Sequence, residues 1–169
     1  MANFKPLPPL EELQKILSYD PGTGVFTWIV SVSPKALAGS AAGSFDPRGY
    51  GKLVYRYKPY LLHRLAWLFG TGEDPRSFTV DHINRDKRDN RLQNLRLATS
   101  RQQQGNKGLQ SNNTSGIKGV HWDKARGKWV AYIVLNRKVK NLGRYPTKEE
   151  AAEAYQKAAA NHFGEFMAS

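Results

Sequence analysis

Asp81 and His82 stand side by side at the end of a short apolar run. The polar loop NRDKRDNR follows at residues 84–91, then a second apolar run from Leu95 to Ala98. Thr99 and Ser100 open a segment of helical character with Gln102 and Gln103 in its first turn. The order is strand, loop, strand, helix, with an acid and an imidazole on the first strand and amides on the later elements. Hydrolysing a phosphodiester needs a water that has lost a proton and a cation to hold the developing phosphate charge. A neutral imidazole can take the proton. A carboxylate with an amide oxygen can hold Mg²⁺, a hard cation that keeps most of its waters and takes few protein ligands. A third group should fix the tautomer and tilt of the ring. Asp81, His82 and an Asn from the loop or second strand supply these parts. An Asp-His pair alone is a common surface feature; the whole string carries the weight.

That string, D-H-I-N, then D-N-R-L-x-N-L-R, then an amide-rich helix start, resembles the HNH endonucleases, in particular the phage and intron-borne homing type. The resemblance is dense over residues 63–107 and implies two strands and a helix that pinch one divalent metal. It implies that His82 is the general base, Asp81 a metal ligand, and Asn94 the middle Asn that orients His82. The last motif residue, usually Asn or His on the helix, falls on Gln103. Gln is longer by one methylene, and Mg²⁺ asks for oxygens at about 2.0–2.1 Å. Gln103 can ligate directly or through a water. Ser100 with Gln103 also makes a capping-box pattern, in which case Asn106 on the same face becomes the candidate ligand. The third reading is a weakened site. Mn²⁺ would serve as well as Mg²⁺.

The elements that must position these groups come before and after them. LLHRLAWLFG, residues 61–70, reads as an apolar helix ending at Gly70 and resembles the helix that precedes the motif in this family. His63 among Leu and Trp reads as a packed, hydrogen-bonded core histidine in preference to a metal ligand. Arg64 is set either to reach the scissile phosphate or to clasp the catalytic loop. From Asp81 to Lys107 seven cations face three acids, so Arg88, Arg91 and Arg96 are expected to include phosphate contacts, with Arg91 and Asp89 able to brace the loop instead. Further upstream, Leu10, Leu13, Ile16 and Leu17 have helix spacing behind Pro8-Pro9. DPGTG is a turn, VFTWIV a strand, residues 34–49 a loop, and Tyr50 to Tyr60 one strand of alternating aromatic and basic residues, with its basic face a candidate for phosphates.

Past the patternless residues 108–115 the character changes. Three short strands, IKGVHW, KWVAYIVL and KVKNLGRY, precede a helix capped by Thr147 with Glu150 three positions on. Ala151, Ala154, Tyr155 and Ala158 line its sheet-facing side. S-G-I-K-G-V, W-V-A-Y-I, L-G-R-Y and T-K-E-E-A-A-E-A-Y resemble the DNA-binding domain of plant ethylene-response factors, which also occurs fused to phage HNH nucleases. The resemblance implies that the sheet enters the major groove. From Lys118 to Arg144 eight basic residues face Asp123 alone, which fits a surface on DNA. The positions expected to touch it are Lys118, His121, Lys128 and Tyr132, and on the last strand Lys138, Lys140, Asn141 and Arg144.

The chain of 169 residues holds 26 Lys and Arg against 14 Asp and Glu, a net charge of +12 that calls for a polyanion. Cysteine is absent, which excludes disulfides and Cys-built structural zinc. No apolar run is long enough to span a bilayer and the start reads as no signal peptide. The expected protein is α+β: an HNH nuclease domain at 1–107 with its catalytic core at about 78–107, a linker at 108–115, and a three-stranded antiparallel sheet on one helix at 116–169. It is expected to be a metal-dependent, site-specific endonuclease acting on double-stranded DNA, a monomer, working in the cytoplasm of a host cell as a phage- or intron-encoded enzyme. The alternatives are a DNA-binding protein with a decayed nuclease site and a non-specific nicking nuclease.

Overall fold

The computed structural model describes residues 6–99, 102–103, 108–109, 113–136 and 138–164. The chain divides into two compact units, Met1–Thr99 and Ser100–Ser169. In the first, α1 (Leu10–Gln14) leads into the antiparallel hairpin β1 (Leu17–Asp20) and β2 (Val25–Trp28). The Asp20 carboxylate closes the turn between them by accepting from Gly22 N (2.9 Å) and the Thr23 hydroxyl (2.8 Å), the local bonding that makes Asp a turn residue. A second antiparallel sheet has the order β3 (Ser44–Phe45), β4 (Gly51–Tyr55), β5 (Lys58–Leu61). Next come α2 (Leu62–Thr71), β6 (Thr79–His82), a single 3₁₀ turn (Leu92–Asn94) and β7 (Leu95–Ala98), with β6 and β7 antiparallel.

The core of this unit forms around α2. Leu62, Leu65, Ala66 and Leu68 are buried on it, at the spacing of one helical face. They share a cluster with Leu13, Leu17, Phe26, Leu53, Val80 and Leu95. Leu65, with no exposed surface, is the position where truncation to Ala would cost about 2–5 kcal/mol. Arg64, on the same helix, is buried too; it donates to Phe78 O (3.2 Å) and Arg76 O (3.3 Å) and pairs with Asp74 (3.3 Å). So α2 both fills the core and grips the segment that enters β6.

The second unit is the antiparallel sheet β8 (Val120–Asp123), β9 (Lys128–Leu135), β10 (Lys138–Tyr145), in the order β10-β9-β8, with helix α3 (Lys148–Phe163) across it. Val120, Val130, Ala131 and Ile133 on the sheet and Ala151, Tyr155, Ala159 and Phe163 on α3 are buried. The Thr147 hydroxyl accepts from Glu150 N at 3.2 Å, the cap expected from the sequence. Ser115, buried, donates its hydroxyl to Val120 O (2.6 Å) and accepts from Ile117 N (3.1 Å), tying down the turn before β8.

The elements differ from the sequence reading in several places. The first helix stops at Gln14, because Leu17–Asp20 pairs with Val25–Trp28 and the backbone must extend there. Residues 44–45, inside the expected loop, form the short edge strand β3. Tyr50–Tyr60 is not one strand: Arg56 and Tyr57, both at positive φ (48° and 62°), turn it into the β4–β5 hairpin. Along α3 the buried stripe is Ala151, Tyr155, Ala159 and Phe163, a strict i, i+4 row that leaves Ala154 and Ala158 half-buried. Helix α2 runs on past Gly70 to Thr71, with Gly72 in the left-handed conformation as its cap.

Candidate functional site

Antiparallel pairing sets Asp81 opposite Arg96 and His82 opposite Leu95. Both Asp81 and His82 are buried. Asn90, almost wholly buried, places its Oδ1 3.2 Å from His82 Nε2, while its Nδ2 lies 3.4 Å from Arg88 O. With the amide nitrogen on that carbonyl, the amide oxygen faces the ring. An Nε2–H tautomer would donate to that oxygen. Burial lowers the His82 pKa, opposed by the Asn90 hydrogen bond and by Asp81, so the ring is neutral at neutral pH.

Asn94 does not perform the orientation directly. Its Oδ1 accepts from Asn84 N (3.0 Å) and its Nδ2 donates to Asp89 O (2.8 Å). Both ends of the amide thus hold the loop backbone, and the contact with the ring belongs to Asn90. The sequence carried a signal for this, since D-N-R-L-x-N-L-R contains both residues, but nothing in spacing says which one faces the imidazole. Asn90 is itself fixed from the N-terminal hairpin. The Tyr19 hydroxyl donates to Asn90 O (2.8 Å), and Leu92 N donates to Pro21 O (3.1 Å). Gly24 (φ 76°) faces the Asn90–Arg91 backbone, where a Cβ would lie 2.5 Å from Arg91 N, so no side chain fits there.

The cations of this region are turned mostly onto the protein. Arg91 meets Asp89 through Nε (2.8 Å) and Nη2 (2.6 Å) and holds that carboxyl down at about 2. Arg91 is thus paired with Asp89 inside the loop, with its side chain still 43% exposed. Arg96 reaches the Asp81 carboxylate with Nε and Nη2, both at 3.4 Å. Arg64 clasps residues 74–78, as described, and is too buried to offer a phosphate its guanidinium. Arg88 is exposed, its guanidinium 5.7 Å from the Phe45 ring centre. His63 packs edge-on against His82 with ring centres 5.1 Å apart and also meets Tyr50 at 5.9 Å. It is buried as expected, yet its Nδ1 has no hydrogen-bond partner among the described residues, and burial pushes its pKa down to about 3.

Gln103 is helical and half-buried. Asn106, and Ser100, the expected capping partner of Gln103, lie outside the described residues. Among the described residues no three His, Cys, Asp or Glu side chains gather so as to hold a metal ion by themselves. A single buried carboxylate with an amide oxygen suits a hard divalent cation that keeps most of its waters. The absence of thiols fits the same choice. The donor set therefore fits such a cation.

On the second unit His121, Lys128, Lys138 and Lys140 are exposed, and Lys118 sits half-buried in the turn before β8. Tyr132 is half-buried with its ring edge-on to His121, centres 5.5 Å apart. Asn141 is exposed at the bulge of β10, where its Oδ1 accepts from Gly143 N (2.9 Å). Arg144 keeps a contact with Asp123 at 3.6 Å. Among the described residues no helix is long and apolar enough to cross a membrane.

Residues 60–104 match the HNH endonuclease family and residues 115–165 the AP2 domain. The chain is 33% identical over 164 residues to an uncharacterized HNH endonuclease of Acanthamoeba polyphaga mimivirus, covering 86% of this chain and 85% of that protein. It is 31% identical over 110 residues to protein 3.8 of Escherichia phage T7, covering 65% of this chain and 90% of that protein. No solved structure matches the chain.

Proposed function

This chain belongs to the HNH endonuclease family, with an AP2 domain behind its nuclease domain, and from that premise we propose a metal-dependent, site-specific cut in double-stranded DNA with His82 as general base. The observation that carries the reading is the contact between Asn90 and His82. With Nε2–H donating to that amide, Nδ1 would be the basic nitrogen on a ring that burial keeps neutral, the form that can take a proton from water. Asp81 and Gln103 would hold the divalent cation, Mg²⁺ or Mn²⁺, with Asn106 as the alternative to Gln103. Such a cation, when bound, offsets the charge that develops on the phosphate. Arg96 shares the Asp81 carboxylate and keeps it from being an isolated buried charge. Asn94 and the Asp89–Arg91 pair hold the loop so that Asn90 stays on the ring. Arg88, exposed beside the site, is placed for a backbone phosphate. The outward cations of β8–β10 would lie along the duplex and select the site, in the manner of a homing enzyme, with one chain acting alone in the compartment that holds its DNA.

The test is nicking of supercoiled plasmid by the full chain with Mg²⁺ or Mn²⁺ and with chelator. His82→Ala is expected to lose about 10²–10⁴-fold in cutting while binding duplex as the parent does. Cutting by the parent should rise with pH through a midpoint below the unperturbed value of about 6.5, since burial lowers the ring's pKa. Cutting by His82→Ala at the parental rate would remove the residue from the mechanism. A parent that binds duplex but never nicks with either metal would instead be a DNA-binding protein with a decayed site.

A further inference from the structure

We propose that the apex of the β4–β5 hairpin is a wedge that enters the minor groove of duplex DNA, with Tyr57 at its tip. The inference starts from a turn that the fold alone does not explain. A two-residue hairpin turn with both central residues at positive φ is normally built from Asn-Gly or Gly-Gly. Here Arg56 (φ 48°) and Tyr57 (φ 62°) occupy it, a conformation that side chains of this size rarely adopt. Strained backbone of this kind persists where surrounding structure holds it, and it concentrates at functional sites. The turn end of the hairpin is held: Glu12 of α1 accepts from the Tyr55 hydroxyl (3.2 Å) and pairs with Arg56 (3.1 Å).

What this rigid apex displays is apolar. Tyr57 is as exposed as a residue can be, at 101%. Val54, 62% exposed, lies across the hairpin from exposed Pro59. Cations flank the tip: Arg56 and Lys58 stand on either side of it, and Lys52 lies further down the same strand. An apolar tip between Arg and Lys is the composition of side chains that enter the minor groove and partly unstack a base step. An acidic protein partner would account for the cations but not for a single aromatic tip held clear of its own fold.

The wedge is also connected to the cutting site. Tyr50 packs on His63 and His63 on His82, and β4 starts at the next residue. Its five residues span about 17 Å at about 3.4 Å each, the length of roughly five base pairs. DNA lying with its scissile phosphate at His82 and running along β4 would therefore meet Tyr57 about half a helical turn away. A kink there would bring more of the duplex onto the protein.

The proposal rests on the reading that this chain acts on DNA, and the test separates the two. The probe is a mixed-sequence duplex of about 30 base pairs with an A·T-rich centre and a fluorophore at each end. It reports binding by anisotropy and bending by energy transfer. Tyr57→Gly removes the ring, keeps both flanking cations and suits the observed φ. It is expected to melt no lower than the parent, to bind about tenfold more weakly with an unchanged salt dependence, and to lose the bend. Tyr57→Phe should restore binding and bending. Lys58→Ala, by contrast, should lower the log–log salt slope by about 0.9. Tyr57→Gly that binds and bends the duplex like the parent overturns the wedge. A parent that does not bind the duplex at all overturns the DNA reading first.

Discussion

Around β6 and β7 several charged side chains are turned on the protein itself, while Arg85 and Arg88 stand exposed. Asp81 meets Arg96, Asp89 meets Arg91, and Arg64 meets Asp74 and two backbone carbonyls. On β8–β10 they are turned outward: Lys128, Lys138 and Lys140 stand exposed, and Arg144 meets Asp123 only at 3.6 Å. Both regions are basic in sequence, so composition alone would give them the same task. The difference teaches that a cation near a reacting phosphate must first keep a loop in place, whereas a cation on a docking surface need only face the field of the polyanion. Catalysis depends on geometry held to a fraction of an ångström; counterion release depends on how many phosphates are neutralised.

The largest expected consequence is for affinity. Residues 1–107 alone should keep their core and still cut, with relaxed site choice, but bind duplex at least about a hundredfold more weakly near physiological salt. The slope of log affinity against log salt should flatten by roughly 0.9 for each phosphate that the shortened protein leaves unneutralised. An unchanged slope would mean that the outward cations do not meet DNA, and the contrast between the two regions would collapse.

A smaller effect is expected in stability, and only in the first unit. His63 is held neutral in the fold, pushed down to about 3 by burial. Once unfolded it takes a proton near 6.5. The unfolded chain therefore binds the extra proton between those values, and stability falls as pH drops from about 6.5 towards 3. Replacing the ring with one that cannot titrate, His63→Phe, should recover about 2 kcal/mol of that loss at about pH 5. Thermal unfolding of both proteins at about pH 7 and pH 5 measures it, and parallel acid losses would show that His63 is not the group responsible.

The smallest change is expected at the helix after β7. Gln103→Asn should cut at least as well as the parent with Mg²⁺ and with Mn²⁺, and Asn106→Ala should keep most activity. Loss of cutting in Asn106→Ala, with Gln103→Ala unaffected, would move the amide ligand to Asn106.

Much of this is readable in the chain. The β6–loop–β7 order follows from two apolar runs around a polar loop, and the Thr147 cap from its Glu150 partner. The hairpin at Arg56–Tyr57 is not, because turn signals are carried by Gly, Asn and Pro and this turn has none at its centre. The early end of α1 is hidden because Leu13, Ile16 and Leu17 fit a helical period, while pairing of Leu17 with Trp28, a long-range fact, decides the strand. Asn90 and Asn94 are interchangeable in sequence; only the packing of the loop against Tyr19, Pro21 and Gly24 gives one the ring and the other the backbone. For His63 the apolar neighbours predict both packing and a hydrogen bond; the packing is there, and Nδ1 has no partner among the described residues.

The grip of the N-terminal hairpin on Asn90 and Leu92 bears on how such a nuclease can be borrowed. The segment matched to the family begins at residue 60, yet the loop that seats His82 is pinned by residues 19, 21 and 24. The unit of inheritance and of engineering is therefore larger than the motif. A graft that carried only the motif would bring the reacting side chains without the frame that aims them. Swapping the β8–β10 sheet behind an intact first unit leaves that frame in place.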